Sequence, residues 1–195
     1  MQQLCKRCSK VISSTGFSGS GIGFTRKEPS SVLLTAFEGT SSESLLHYFH
    51  DSYSKLILEN DKVKSVNRLI STLESNTFDS VISFGQKPVI RDKVYIELAG
   101  RLGDTVYKTD FETDGLASAL MNHGFFVHIS SNAGTSFCNH IYAHGLKYIM
   151  ERAYGARMVF VHVPFAKNIT DFGQFSGRLM QAVDCFRGRK LDESQ

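Results

Sequence analysis

A cysteine near the start of a helix and a histidine at the end of an apolar strand are the residues of this chain best placed for covalent chemistry. Residues 125–130 (FFVHIS) form a short apolar run with strand character, and residues 135–152 carry helical spacing. Between them stands Ser131-Asn132-Ala133-Gly134. Gly134 permits a tight turn, and Thr135 or Ser136 can cap the helix. Cys138 then falls in the first helical turn, where unpaired backbone N–H groups and the positive end of the helix favour a thiolate. A thiol acidified in this way is a usable nucleophile. Position alone leaves open the other role of a cysteine, a small buried hydrophobe. His162 lies in Val159-Phe160-Val161-His162-Val163-Pro164. An imidazole there is costly to bury without a partner, and a hydrogen-bonded core histidine would also satisfy that demand. Together the two supply what acyl transfer needs, a sulfur nucleophile and a base for its proton. A third group must orient the imidazole, and spacing does not identify it.

The elements that would position this pair alternate in type. Apolar runs at 31–37, 53–58, 78–84, 93–98, 125–130 and 158–163 read as strands, most of them buried. Helical spacing recurs at 42–50, 62–75, 114–123, 135–152 and 171–187. Strands alternating with helices predict an α/β fold, a three-layer α/β/α sandwich with a mostly parallel twisted sheet. Sites in such sheets collect at the carboxyl ends of strands, which directs attention to Phe37-Glu38-Gly39-Thr40, Gly85-Gln86-Lys87, Ser131–Thr135 and His162–Phe165.

The chain of 195 residues suits one domain, and its 42% apolar share suits a real core. A net charge of +3, without a basic patch beyond the first thirty positions, argues against a nucleic-acid partner. No apolar run is long enough to span a bilayer, so no membrane partner is expected. Four cysteines are too few for a disulfide framework and fit a reducing, cytoplasmic setting. Residues 1–30 are set apart: rich in Ser and Gly, basic, and free of acids before Glu28. They read as a flexible extension to a domain at 31–195. The same composition describes an organelle transit peptide, although the arginine spacing is poor for one. A secretory signal is excluded by the lack of an apolar segment after the basic residues.

The block Ser131-Asn132-Ala133-Gly134-Thr135-Ser136-Phe137-Cys138-Asn139-His140 resembles the active-site segment of the pyroglutamyl-peptidase I family of cysteine peptidases. Val161-His162-Val163-Pro164-Phe165 resembles that family's histidine segment, Val32–Glu38 its first strand and loop, and Phe84-Gly85-Gln86 its Val-Gly-Gln. The likeness runs over roughly 31–187. It implies an α/β/α sandwich, removal of an N-terminal pyroglutamyl residue from peptides with a blocked N-terminus, and no metal or cofactor. It implies Cys138 as nucleophile, His162 as base and Asp92 as the acid, with Glu97 a less well aligned alternative. It further implies Arg101 near the oxyanion, and Phe37 and Gln86 in the substrate pocket. Three departures accompany it. Thr40 stands where the family has a second pocket Phe, a Gly-Gly-Arg loop after Gln86 is replaced by Lys87-Pro88-Val89-Ile90, and Asp stands for Glu in the triad.

Other motifs carry less. Cys5-Lys6-Arg7-Cys8 lacks the second ligand pair that zinc needs. Gly19-x-Gly21-x-Gly23 follows no strand and lacks the setting of a dinucleotide site. His140 and His144, an i, i+4 pair, lack the carboxylate of a metalloprotease motif. Cys185 reads as core or surface. Two rival functions stand beside the peptidase. One is a non-catalytic descendant that binds a peptide end, and the other is a cysteine amidohydrolase for a different small acyl group. Residue patterns leave the oligomeric state open between a monomer and a homo-oligomer.

Overall fold

The computed structural model describes residues 31–88, 93–131, 134 and 136–192. The expected extension at 1–30, with Cys5, Cys8 and the spaced glycines, lies outside the described residues. In chain order the described elements are β1 (Val32–Phe37), α1 (Ser41–Leu46), β2 (Ser54–Leu58), α2 (Lys62–Ser75), β3 (Ser80–Lys87), β4 (Lys93–Glu97), β5 (Ala99–Leu102), β6 (Thr105–Lys108), α3 (Thr113–Asn122), β7 (Phe126–Ser130), α4 (Phe137–Glu151), β8 (Arg157–Pro164), a 3-10 turn (Ala166–Asn168) and α5 (Phe172–Asp192).

The central sheet has the order β2-β1-β3-β8-β4-β7. Its pairings are parallel except that between β4 and β8, which is antiparallel. Side chains alternate across a strand, so each strand feeds two separate cores. Leu34 and Ala36 of β1, Ile82 and Phe84 of β3, Val94 and Ile96 of β4, and Val159 and Val161 of β8 pack with α1, α3 and α5. On the other face Leu33 and Phe37, Val81, Met158 and Phe160 pack with α2 and α4. Each fully buried Leu or Phe contributes about 1.5–3 kcal/mol. This two-sided burial explains why the strands read as continuous apolar runs. The three-layer α/β arrangement expected from the sequence is present, with the antiparallel β4–β8 pairing as its main irregularity.

The expectation for 93–98 contained one strand and nothing after it. A second, two-stranded sheet, β5–β6, follows directly and is antiparallel, with Leu102 opposite Thr105 and Gly103 at φ 57° in the turn. The hairpin lies on α4 so closely that a Cβ on Gly100 would stand 2.7 Å from the Ala143 backbone. Among the described residues, no helix is long and apolar enough to cross a membrane.

Candidate active site

Parity along the strands assembles the site on the α2/α4 face. On β8, Phe160 and His162 point to that face. On β3, Gly85 and Lys87 do so, and on β4, Tyr95 and Glu97. Gly85 is the ladder partner of His162 on one side, and Tyr95 is its partner on the other. Thus β8 presents His162 between β3 and β4.

Cys138 arrives from above, on α4. Gly134, at φ 81°, turns the chain out of β7 in a conformation that suits glycine. Ser136 is the N-cap, so Cys138 is the second residue of the helix. Its Sγ lies 2.8 Å from the point a Cβ on Gly85 would occupy, and Phe160 Cζ lies 2.7 Å from that point. The sulfur therefore rests over Gly85, the residue that pairs with His162 on the neighbouring strand. Replacing Gly85 by alanine would force the sulfur or the Phe160 ring to move. That ring is held by Phe37 at 6.2 Å, Tyr142 at 5.6 Å and His162 at 4.9 Å between centroids. Gly85→Ala is therefore expected to lower unfolding free energy by roughly 1–3 kcal/mol in a denaturant titration, as overpacking does. An unchanged midpoint would show that the sulfur does not occupy this place.

His162 is 3% exposed. Its Nδ1 lies 2.8 Å from Glu97 Oε1, and Glu97 is fully buried. Glu97 is directly opposite Phe160 across the antiparallel β4–β8 pair, hence diagonal to His162 on the same face. Diagonal neighbours are within reach of a long side chain. Asp92, expected as the acid, lies outside the described residues, and the single Nδ1 of the imidazole is engaged by Glu97. Glu97, the less well aligned alternative, is the last residue of β4. Because β4 runs antiparallel to β8, that last residue pairs with Phe160 and comes within reach of His162.

The charges around Glu97 explain how a carboxylate survives there. An isolated buried carboxylate would be penalised by several kcal/mol. Burial works to raise its pKa. Hydrogen bonds from His162 and Ser130, with the charges of His162 and Lys87, overcome that and hold it below the ordinary value. Lys87 Nζ is 3.4 Å from the same Oε1. Tyr142 Oη donates to the Glu97 backbone carbonyl at 2.8 Å and fixes the strand beneath it.

The Cys138 thiol behaves differently from the sequence-based expectation. Burial pushes it up to about 11, against hydrogen bonds from the Ser136 side chain and its own backbone N–H and against the charge of Lys87. Desolvation outweighs the helix N-terminus here, so the resting sulfur is a neutral thiol at neutral pH.

The other expected residues are dispersed. Phe37 is 3% exposed, edge-on to Phe137 at 5.1 Å and stacked on Phe160. It props the rings around Cys138 and offers no open wall. Gln86 has the opposite parity from Gly85, and its Oε1 accepts from the Ser41 N–H at 3.2 Å and the Ser41 hydroxyl at 3.1 Å. Its amide carbonyl ties β3 to α1 on the far face. Arg101 sits on the β5–β6 hairpin with an exposed side chain. Its backbone is gripped by Asn139: the Arg101 N–H donates to Asn139 Oδ1 at 2.8 Å, and Asn139 Nδ2 donates to the Arg101 carbonyl at 2.8 Å. Asn139, the residue after Cys138, was not singled out from sequence. Its place directly after the nucleophile candidate was the available signal. Thr40 is the N-cap of α1, and its hydroxyl donates to the Phe37 carbonyl at 2.6 Å. Among the described residues, no group of three or more His, Cys, Asp or Glu is placed to hold a metal.

The family model for pyroglutamyl peptidase matches residues 92–178, which hold Glu97, Cys138 and His162. The pyrrolidone-carboxylate peptidase of Fusobacterium nucleatum is 32% identical over 82 residues, 42% of this chain and 35% of that protein. Over this segment the chain is similar to the pyroglutamyl peptidase family. A pyrrolidone-carboxylate peptidase of Thermosipho melanesiensis is 28% identical over 85 residues, 43% of this chain and 39% of that protein. The chain thus spans little more than a third of the length of these curated relatives. In three dimensions the match is wider. A pyrrolidone carboxyl peptidase from Thermococcus litoralis has a TM-score of 0.70 at 19% identity, over 85% of this chain and 96% of that one. Pyroglutamyl peptidase I of Bacillus amyloliquefaciens has 0.71 at 17% identity, over 82% and 97%. At these identities the structural likeness speaks for the fold, and the sequence likeness to the family rests on residues 92–178.

Proposed function

We propose that this protein is a cysteine omega-peptidase that removes an N-terminal pyroglutamyl residue from peptides. The observation that supports this most is the line Glu97–His162–Gly85/Cys138 across three adjacent strands, within the segment that matches the family. Glu97 holds Nδ1 and leaves Nε2 for the thiol. Cys138 Sγ attacks the acyl carbonyl while its proton passes to Nε2, forming the C–S bond and a tetrahedral oxyanion. The backbone N–H at the start of α4 stabilises that oxyanion, with Arg101 nearby on the clamped hairpin. The imidazolium then gives its proton to the leaving amine as the C–N bond breaks. Water reverses the sequence, with His162 again as base, and frees the acid. The sparse cysteines support a reducing, cytoplasmic setting.

A second reading keeps this chemistry but changes the acyl group. Burial of Phe37 and use of Thr40 as a helix cap favour it, because neither side chain offers a lactam ring an aromatic wall. The test is fluorescence release from pyroglutamyl-aminomethylcoumarin, with glutamyl, prolyl and acetyl analogues alongside. Release from the pyroglutamyl compound alone is the expected result. Release only from another blocked amide would favour the second reading, and release from none would overturn both.

A further inference from the structure

We propose that Lys87 is a positioning residue of this site, an ammonium that reaches across β8 to pin the Glu97 carboxylate at the oxygen that orients His162. This rests on the peptidase reading but goes beyond the residues assigned to it.

The geometry carries the inference. Lys87 lies at the end of β3 and Glu97 on β4, with β8 and its His162 between them. The ammonium is 3.4 Å from Glu97 Oε1, the atom that His162 Nδ1 takes at 2.8 Å. It also stands 4.3 Å from the centroid of the Tyr95 ring. Tyr95 is the register partner of His162 and carries His128 on its ring at 4.7 Å and Lys93 at 5.2 Å. An aromatic face fixes a cation whose stem would otherwise be free. Lys87 shares its strand face with Gly85, over which the Cys138 sulfur rests. One lysine thus touches the orienting acid while crossing the strand that bears the base.

Two consequences follow from a fixed positive charge there. It stabilises Glu97 as the anion that can accept from Nδ1, so the imidazole keeps the tautomer with Nε2 free. It also lowers the tendency of Glu97 and Cys138 to hold a proton. The titratable groups that face this charge are Glu97 and Tyr95 on β4, His162 on β8 and Cys138 on α4. His128 on β7 and Lys93 on β4 reach it through the Tyr95 ring. For Glu97 and Cys138 the direction is the expected one, Lys87 pulling both downward. The ammonium side chain is 32% exposed, so solvent weakens the effect but does not remove it.

The experiment compares Lys87→Met, which keeps the stem, and Lys87→Arg, which keeps the charge, in the full chain. The first readout is the pH profile of kcat/KM on pyroglutamyl-aminomethylcoumarin. The second is the pH profile of Cys138 alkylation by iodoacetamide, followed by peptide mapping, and it needs no substrate. For the Met variant both midpoints should move to higher pH, by about half a unit to one unit. The Arg variant should stay near the parent. Unmoved midpoints in a folded Met variant would overturn the proposal, as would an equal shift in the Arg variant. If the Met variant does not fold, Lys87→Gln with the same two profiles decides. If the parent hydrolyses nothing yet its alkylation midpoint depends on Lys87, the substrate reading fails while the charge role stands.

Discussion

Cys138→Ala is expected to lower pyroglutamyl hydrolysis by about 10⁴-fold or more, the scale seen when a nucleophile is deleted from a catalytic group that acts as a unit. The fall should appear in kcat with the fold intact, because alanine removes only the sulfur and introduces no new bulk at the start of α4. The state of the thiol sharpens the expectation. With the group pushed up to about 11 by burial, the thiolate is roughly one part in 10³–10⁴ at neutral pH. Catalysis then cannot draw on a standing thiolate; it needs His162 to take the proton as the bond to the acyl carbon forms. The same state predicts slow alkylation. Native Cys138 should react with iodoacetamide near pH 6–8 more slowly than the unfolded chain, and its rate should climb only as the pH rises well above the ordinary thiol range near 8.5. Retention of more than about one per cent of the activity in the alanine variant would place the nucleophile elsewhere. Fast native labelling near pH 6 would show that the helix N-terminus wins after all.

The contrast between Cys138 and Glu97 marks how far the sequence could be read. The helix start and the strand–turn–helix shape around Cys138 were legible, since Gly134, the capping residues and the helical spacing act locally. The α2 boundaries at Lys62 and Ser75 were legible for the same reason, with Asp61 accepting from the Val63 and Lys64 N–H groups at 2.9 Å. The thiol's acidity was not legible, because it depends on how deeply α4 presses Sγ against Gly85 and Phe160. Nor was the direction of β4. An apolar run has the same pattern whichever way it enters the sheet, yet that direction decides which carboxylate meets His162. The β5–β6 hairpin was signalled by Gly103-Asp104 between two short runs, but runs of four residues are too brief to announce themselves. Gln86 shows the effect of parity. One position from Gly85, it faces the other layer and binds Ser41, a difference of parity that a motif match does not show. Phe37 has the right parity but spends its ring on Phe137 and Phe160.

Glu97→Gln is expected to lower kcat by about 10²–10³-fold, while Asp92→Asn on the same substrate changes it less than about threefold. The amide has nearly the shape of the carboxylate, so packing against β7 and β8 survives, and what is lost is the charge and the single acceptor that Nδ1 uses. A neutral amide can present its NH₂ to Nδ1, and the imidazole then takes the tautomer that leaves no lone pair at Nε2 for the thiol proton. Triads that suffer this lose about 10⁴-fold in the serine case. A cysteine enzyme with a standing thiolate would lose less, but the neutral resting thiol inferred for Cys138 depends on its base, which sets the expectation at the upper end of the cysteine range. The variant should also separate the role of Lys87. With Glu97 neutralised, the Lys87 ammonium faces His162 without a counter-charge, so the imidazolium formed during attack is disfavoured twice over. Adding Lys87→Met to Glu97→Gln should therefore recover part of the loss, about threefold or more, in a double-mutant cycle. Equal losses in Glu97→Gln and Asp92→Asn would mean that both carboxylates serve the imidazole. A crippled Asp92→Asn beside a healthy Glu97→Gln would return the acid to the residue before β4 and remove the basis for an orienting Glu97.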